Sequence, residues 1–359
     1  MDYTQLLQSL KKTFPDYQIL QNHLLAPYTT LKIGGPADIF INTTTPDQFT
    51  SIISFLAKNI IIASHPAITI LGNGSNVLIS DSGIHGVVIK NSSQSIEILD
   101  KNHSLNIKSK SPSISSRRTE NEPNEYLDFT KIDYDESDSP TSLVKVSSGT
   151  PLPYAINYLI NQGLTGLQWF AYIPGTVGGA TWYNIHGGTH HFSEYIDSVE
   201  VFDLSNSQTT ILNSAKLSWD YDQSYFQSHP ELIILSVTLK LFKGDSHRAQ
   251  LTALAWIQQK TKVQSMNSAG SVFKNPSLKD CLAVWGEQKS TGWIIDHELN
   301  WKGKTLGGAQ ISEKHANFII NTGKSTALDY YNLAKSVQNE VLRRYKLKLE
   351  MEVQPLGQF

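Results

Sequence analysis

Ile68-Thr-Ile-Leu-Gly-Asn-Gly-Ser-Asn-Val-Leu-Ile79 is the stretch from which the rest of the chain is read. A four-residue apolar run ends in a glycine-dense turn, and a second apolar run resumes at once. Short apolar runs bounded by turn residues read as buried strands. Gly72 and Gly74 permit positive φ, so the N–H groups of Gly72, Asn73, Gly74, Ser75 and Asn76 can converge on a phosphate. An ordinary hairpin turn would carry the same letters. The dinucleotide fingerprint is excluded, because no G-x-G-x-x-G leads from this turn into a helix.

Two later segments give the turn its context. Ile173-Pro-Gly-Thr-Val-Gly-Gly-Ala180 follows Trp169, Phe170 and Tyr172. Its glycines strip side chains from a surface, so Ile173, Pro174, Gly175, Thr176, Gly178 and Gly179 can lie flat against a large planar cofactor. Ser268-Ala-Gly-Ser-Val-Phe-Lys-Asn-Pro276 presents a hydroxyl, an ammonium and a carboxamide between Ser271 and Asn275. No G-x-S-x-G elbow marks Ser271 as an acyl-transfer nucleophile. The hydroxyl reads instead as a proton donor, with Lys274 and Asn275 gripping an anion; a plain polar loop is the competing explanation. Asn184-Ile-His-Gly-Gly-Thr-His-His-Phe192 holds His186, His190 and His191 without a Cys partner or an HExxH frame, so no metal is expected there. It reads as a loop lining a substrate, with Asn184 and His186 as polar contacts. Phosphate-cradling turns early and a compact polar cluster late point to an enzyme.

The chain has 359 residues, which implies more than one core. With 40% hydrophobic and 17% charged residues it is globular, and a net charge of -2 gives no reason to expect nucleic acid or a membrane as partner. Any anionic ligand must be held by local groups. The single cysteine, Cys281, fits a reducing compartment and reads as a packed or surface residue. The first ten residues lack a basic segment before an apolar core, and no run of about 18 apolar residues exists. A cytoplasmic protein is the expectation; oligomeric state leaves no trace in the sequence.

The pattern is α+β. Residues 2–13 read as an amphipathic helix, Asn22 to Leu31 as an extended lead-in, and Asp38 to Ile41 as a strand. Thr45-Pro46 opens a helix with Phe49, Ile52, Ile53 and Leu56 on its apolar face. Val77–Ile79, Val87–Ile89, Leu143–Val146, Val199–Phe202 and Leu232–Leu241 read as strands. Pro151 to Gln162, Leu251 to Lys262 and Thr326 to Tyr345 read as helices. Leu347, Leu349, Met351 and Val353 alternate with Lys348, Glu350 and Glu352, which reads as a strand with a polar face. Residues 91–142 are poor in aliphatics and read as a flexible insertion without chemistry, Arg117 and Arg118 included.

Together these segments resemble the UDP-N-acetylenolpyruvoylglucosamine reductase family. The resemblance runs in family order through Thr29–Ala37, Leu71–Asp81, Gly163–Leu167, Ile173–Ala180, Ala269–Pro276, Gly292–Ile295, Gly307–Asn321 and Leu349–Val353, leaving out only the 91–142 insertion. It implies an FAD-binding fold of the vanillyl-alcohol-oxidase type and a separate α+β substrate-binding domain. The implied boundaries are 1–90 with a return strand in 347–359, 91–142 as insertion, 143–244 (with part of 68–90) as second flavin subdomain, and 245–346 as substrate domain. It implies FAD and NADPH as cofactors and a UDP-sugar enolpyruvyl ether as substrate. By motif match Ser271 is the proton donor to carbon, and Glu352 the carboxyl that assists at the enolate-like intermediate.

One departure bears on the chemistry. Where the family usually shows Tyr-Arg-x-Ser-x-Phe, this chain has Tyr221-Asp-Gln-Ser-Tyr-Phe226, so Asp222 stands at the position of an arginine that grips the substrate carboxylate. At about 4 Å and an effective dielectric near 20, two like charges repel by roughly 4 kcal/mol. The family's Asn-x-Gly-Ala-Tyr-Gly loop is altered as well, to Asn184-Ile-His-Gly-Gly188. Three outcomes stand open: another cation, His186, His190 or a lysine, replaces the arginine; Asp222 turns away while Gln223 lines the site; or the reductase activity is impaired. The expectation is the first, with a histidine of the altered loop supplying the missing positive charge.

Overall fold

The apolar runs around Gly72–Asn76 lie at the heart of the first part of the molecule. The computed structural model describes residues 3–59, 68–99, 140–188 and 190–359. Its first sheet has the order Gln18–Leu24, Pro36–Thr43, Ile84–Asn91, Ile68–Leu71, with one antiparallel pair and two parallel ones. Pro36–Thr43 and Ile84–Asn91 are covered on both faces, which is why they read as almost unbroken apolar runs. Ile39, Ile41, Val87 and Ile89 meet the helices Tyr3–Thr13 and Pro46–Asn59, whereas Phe40 and Val88 pack with Leu25, Leu71 and Ile79. Thr45 caps the second helix by accepting from Gln48 N at 3.2 Å, and Phe49, Ile52, Ile53 and Leu56 are all buried.

A second sheet is antiparallel throughout, in the order Gln208–Asn213, Ile196–Asp203, Leu232–Lys243, Ser142–Ser147, Ile96–Leu99. Leu152–Asn161, Val177–Tyr183 and Ser246–Val263 form its helical cover, with Leu152, Ile156, Val177, Phe192, Val237 and Trp256 in one core. Two expectations shift here. The insertion begins later than residue 91: Asn91 and Ser93 are buried and Ile96–Leu99 is an edge strand, with Ile96 half-buried and Ile98 exposed. The rest of that segment, 100–139, lies outside the described residues. The helix expected to open a substrate domain at 245 belongs to the second core through Ala249 and Trp256.

The third core gathers Val272, Phe273, Ile294, Ile295, Ile311, Tyr330, Leu333 and Val337 around the short strands Thr305–Leu306, Ala309–Ile311 and Ile319–Asn321 and the helix Ala327–Tyr345. Leu31, Ile33 and Leu78 from the first part enter the same core. Residues 347–353 are extended, and Leu347, Leu349 and Val353 are buried as their alternation requires. They pair with a loop, through the Phe273–Met351 bridge and Glu352 N donating to Val272 O at 2.8 Å, so the regular strand is confined to Gln354–Leu356 beside Val77–Ile79.

Asp81, just after Val77–Ile79, holds the helix Ala327–Tyr345 by its first turn. Its Oδ1 accepts from Ala327 N at 2.8 Å and its Oδ2 from Leu328 N at 3.0 Å. Asp81→Ala is expected to lower stability by about 1 kcal/mol. A urea titration will show a lower midpoint at unchanged slope.

Candidate active site

A cavity of about 660 Å³ lies where the three cores meet. Gly72, Asn73, Gly74, Ser75 and Asn76 line it from one side, and Ile173, Pro174, Gly175, Thr176, Gly178 and Gly179 from another. Asn73 joins the turns, its Nδ2 donating to Gly175 O at 3.1 Å. Gly74 needs its glycine for the backbone: φ is +58°, and a Cβ would stand 2.3 Å from Tyr28 O. Gly175 is different. A Cβ there meets only Ser75 Oγ at 4.0 Å, so it would project into open cavity. That bare backbone, flanked by Trp169, Tyr172 and Trp182, fits a large planar ring system such as FAD. Gly175→Val should therefore fold normally yet bind FAD at least about 10-fold more weakly, since one misplaced side chain forfeits over 1.4 kcal/mol of contact. Titration of flavin fluorescence measures this.

Ser271 and Glu352 line the same cavity. Glu352 is fixed by its backbone: its N–H donates to Val272 O, and its carbonyl accepts from Asn76 Nδ2 at 3.3 Å and the Tyr183 hydroxyl at 3.4 Å. The flavin-side turn, the Ser271 loop and the C-terminal segment are thus tied together at one residue. Burial raises the Glu352 carboxyl well above the usual carboxylate range, and the charge of Asp222 adds to it; Lys274 and Lys260 act in the opposite direction. Tyr183 is raised by burial and then by the Glu352 and Asp222 charges, so its hydroxyl keeps its proton.

The remaining expected residues divide. His186 lines the cavity. Asn184 does not: it is buried in a left-handed conformation, its Nδ2 donates to Asp220 O and its Oδ1 accepts from Ser193 N, so the amide is consumed in shaping the loop. Asn275 also falls outside the lining, and its Oδ1 accepts from Thr291 N at 3.0 Å. Lys274 is not a lining residue either, but its charge reaches Glu352. His190 pairs with Glu194 at 3.0 Å and stacks on Trp169 outside the lining.

Asp222 lines the cavity and is 1% exposed. Its Oδ1 lies 3.0 Å from His186 Nδ1. The two departures from the family pattern therefore meet as a pair. This bears on the expectation for His186: its Nδ1 is engaged by Asp222, and the cations that act on Glu352 are Lys274 and Lys260. Lys260 lines the cavity together with Trp256 and Gln264. Those three recur every fourth residue along Ser246–Val263 and just beyond, a helical stripe legible in the sequence and not singled out from it.

A family model described as UDP-N-acetylenolpyruvoylglucosamine reductase, C-terminal domain, matches residues 259–356, and one described as FAD binding domain matches 100–212. A UDP-N-acetylenolpyruvoylglucosamine reductase of Pediococcus pentosaceus is 30% identical over 353 residues, 98% of either chain. The chain belongs to the UDP-N-acetylenolpyruvoylglucosamine reductase family. A Clostridium botulinum member is 30% identical over 358 residues, covering 99% of this chain and 98% of its own. The crystal structure of the Thermus caldophilus UDP-N-acetylenolpyruvylglucosamine reductase superposes with a TM-score of 0.65 at 26% identity, covering 95% of this chain and 99% of that one. The α+β fold is the FAD-binding type that the sequence resemblance implied. Among the described residues no helix is long and apolar enough to cross a membrane.

Proposed function

We propose that this chain uses FAD and NADPH to reduce UDP-N-acetylglucosamine enolpyruvate to UDP-N-acetylmuramate, a step of peptidoglycan precursor synthesis. The observation that carries the reading is the meeting of Ser271 and Glu352 at a cavity walled by both glycine turns. FAD, when bound, would supply a hydride carrier between NADPH and the enolpyruvyl carbon. The backbone of Gly72 to Asn76 and of Ile173 to Gly179 would hold it. Ser271 donates a proton to the neighbouring carbon. A hydroxyl is a poor acid in water, so it works by position against a strongly basic centre. Glu352, kept protonated by burial, stands beside the developing enolate without adding negative charge to it. Lys260 offers the cavity an ammonium for the anionic parts of the substrate. The substrate is a small nucleotide sugar, and a cytoplasmic setting, where such precursors and NADPH occur together, is part of the proposal.

A stopped-flow record tests it. NADPH should bleach the flavin, and the enolpyruvyl substrate should restore its colour. One observation favours a catalytically impaired relative, namely Asp222 in place of arginine; its pairing with His186 removes much of the force of that argument. Bleaching without recolouring would decide for the impaired relative.

A further inference from the structure

The two oxygens of Asp222 are in different states. Oδ1 faces His186 Nδ1 at 3.0 Å, while Oδ2 is buried with no hydrogen-bond partner among the described residues. A buried polar atom left without a partner calls for a functional explanation. The backbone tells the same story: Asp222 has φ +51°, and Gln227 Nε2 holds its carbonyl at 3.2 Å. On the far side, His186 Nε2 lies 3.2 Å from the Tyr221 hydroxyl, with the two rings stacked 4.6 Å apart. Exposure rises along the row, from 1% at the Asp222 side chain to 26% at His186. Tyr221 is half-buried and is not among the residues lining the cavity.

We propose that Tyr221, His186 and Asp222 form a proton-delivery chain that recharges the Ser271 and Glu352 acid groups from solvent. The inference rests on the reductase reading above. Each turnover adds a hydride and a proton across a C=C bond; NADPH furnishes the hydride, and the proton must be drawn from water. With Asp222 ionised, His186 donates from Nδ1 to Oδ1 and accepts at Nε2 from the Tyr221 hydroxyl. Once Ser271 has given its proton to carbon and taken a replacement from Glu352, the hydroxyl proton of Tyr221 moves to Nε2, and Tyr221 takes another from solvent. The Nδ1 proton passes to Asp222, and after a half-turn the carboxyl releases it into the cavity that the Glu352 carboxylate also lines. One proton has moved from water to the cavity to recharge Glu352, and the relay ends with the charge it began with. The quarter-exposed imidazole regains its first tautomer by exchange with solvent.

The surrounding groups allow this. His191, whose ring centroid is 6.5 Å from that of His186, is held below the usual histidine range by burial and by His186, so it stays neutral and does not divert the proton. Tyr183 keeps its proton, and Lys260 and Lys274 bear on Glu352. Asp220 and Glu194 act on His191 from the same loops.

The test uses His186→Gln in the FAD-loaded enzyme, because glutamine can bond Asp222 but cannot relay a proton. Recolouring by substrate should slow at least about 10-fold, far more than bleaching by NADPH. Added imidazole should restore it in proportion to its concentration. Tyr221→Phe should repeat the pattern and carries the test alone if His186→Gln fails to load flavin. An unchanged recolouring rate, or a slow one indifferent to imidazole, overturns the chain. A wild-type enzyme that bleaches but never recolours overturns the reductase reading along with it.

Discussion

Replacing Ser271 by alanine will slow recolouring of the reduced enzyme by the enolpyruvyl substrate roughly 10²- to 10⁴-fold, and will leave bleaching by NADPH close to the wild-type rate. The expectation follows from how the loop is held. Val272 N donates to Asn317 O at 2.7 Å, Phe273 N donates to Asn317 Oδ1, and Asn317 Nδ2 returns a bond to Phe273 O at 2.8 Å. Val272 and Phe273 are themselves buried in the third core. None of these bonds uses the Ser271 side chain, so alanine at 271 removes a hydroxyl from the cavity wall and leaves the wall standing. Flavin content, melting temperature and substrate affinity should stay near wild type. An equal loss in both half-reactions would instead mean that the loop had moved, and an undiminished recolouring rate would remove Ser271 from the chemistry.

That same loop shows what a sequence can and cannot disclose. Ser271, the two glycine turns and the helix openings at Thr45 and Thr326 are local signals, because turns and caps depend on residues a few positions apart. Side-chain direction is not local. Lys274 and Asn275 sit within four residues of Ser271, yet neither lines the cavity, and the Asn275 amide is claimed by a backbone N–H in a different turn. Asn184 is similar: its letters suit a ligand contact, but it is folded inward to hold its own loop. His186 and Asp222 are separated along the chain and joined only by the tertiary structure, so each alone looked like a defect in a family pattern. The alternation at 347–353 was legible as burial but not as pairing, since its partner is an irregular loop and not a strand.

Glu352→Gln is expected to raise the stability of the enzyme at neutral and alkaline pH while sharply reducing substrate turnover. Burial, with the Asp222 charge behind it, raises the Glu352 carboxyl well above its ordinary value. Near pH 4 and below, the acid is protonated whether the chain is folded or not, and it imposes no penalty. As pH rises past about 4.3, the unfolded chain releases the proton while the folded one retains it. The unfolded state then binds fewer protons than the native state, so stability falls with pH until the folded group ionises too. Glutamine has the shape of the protonated acid and no such slope. Urea midpoints of the two proteins, measured from pH 4.5 to 8.5 at one FAD concentration, should start close and diverge upward in favour of Glu352→Gln. Recolouring by substrate should be slowed throughout, because the amide has no acidic proton to give. An offset that is constant with pH, or one that widens toward acid, would show that the carboxyl is ordinarily ionised in the fold, and Glu352 would then be an anion beside the enolate and not its partner. The stability surrendered at this position is the physical mark of a group kept for chemistry.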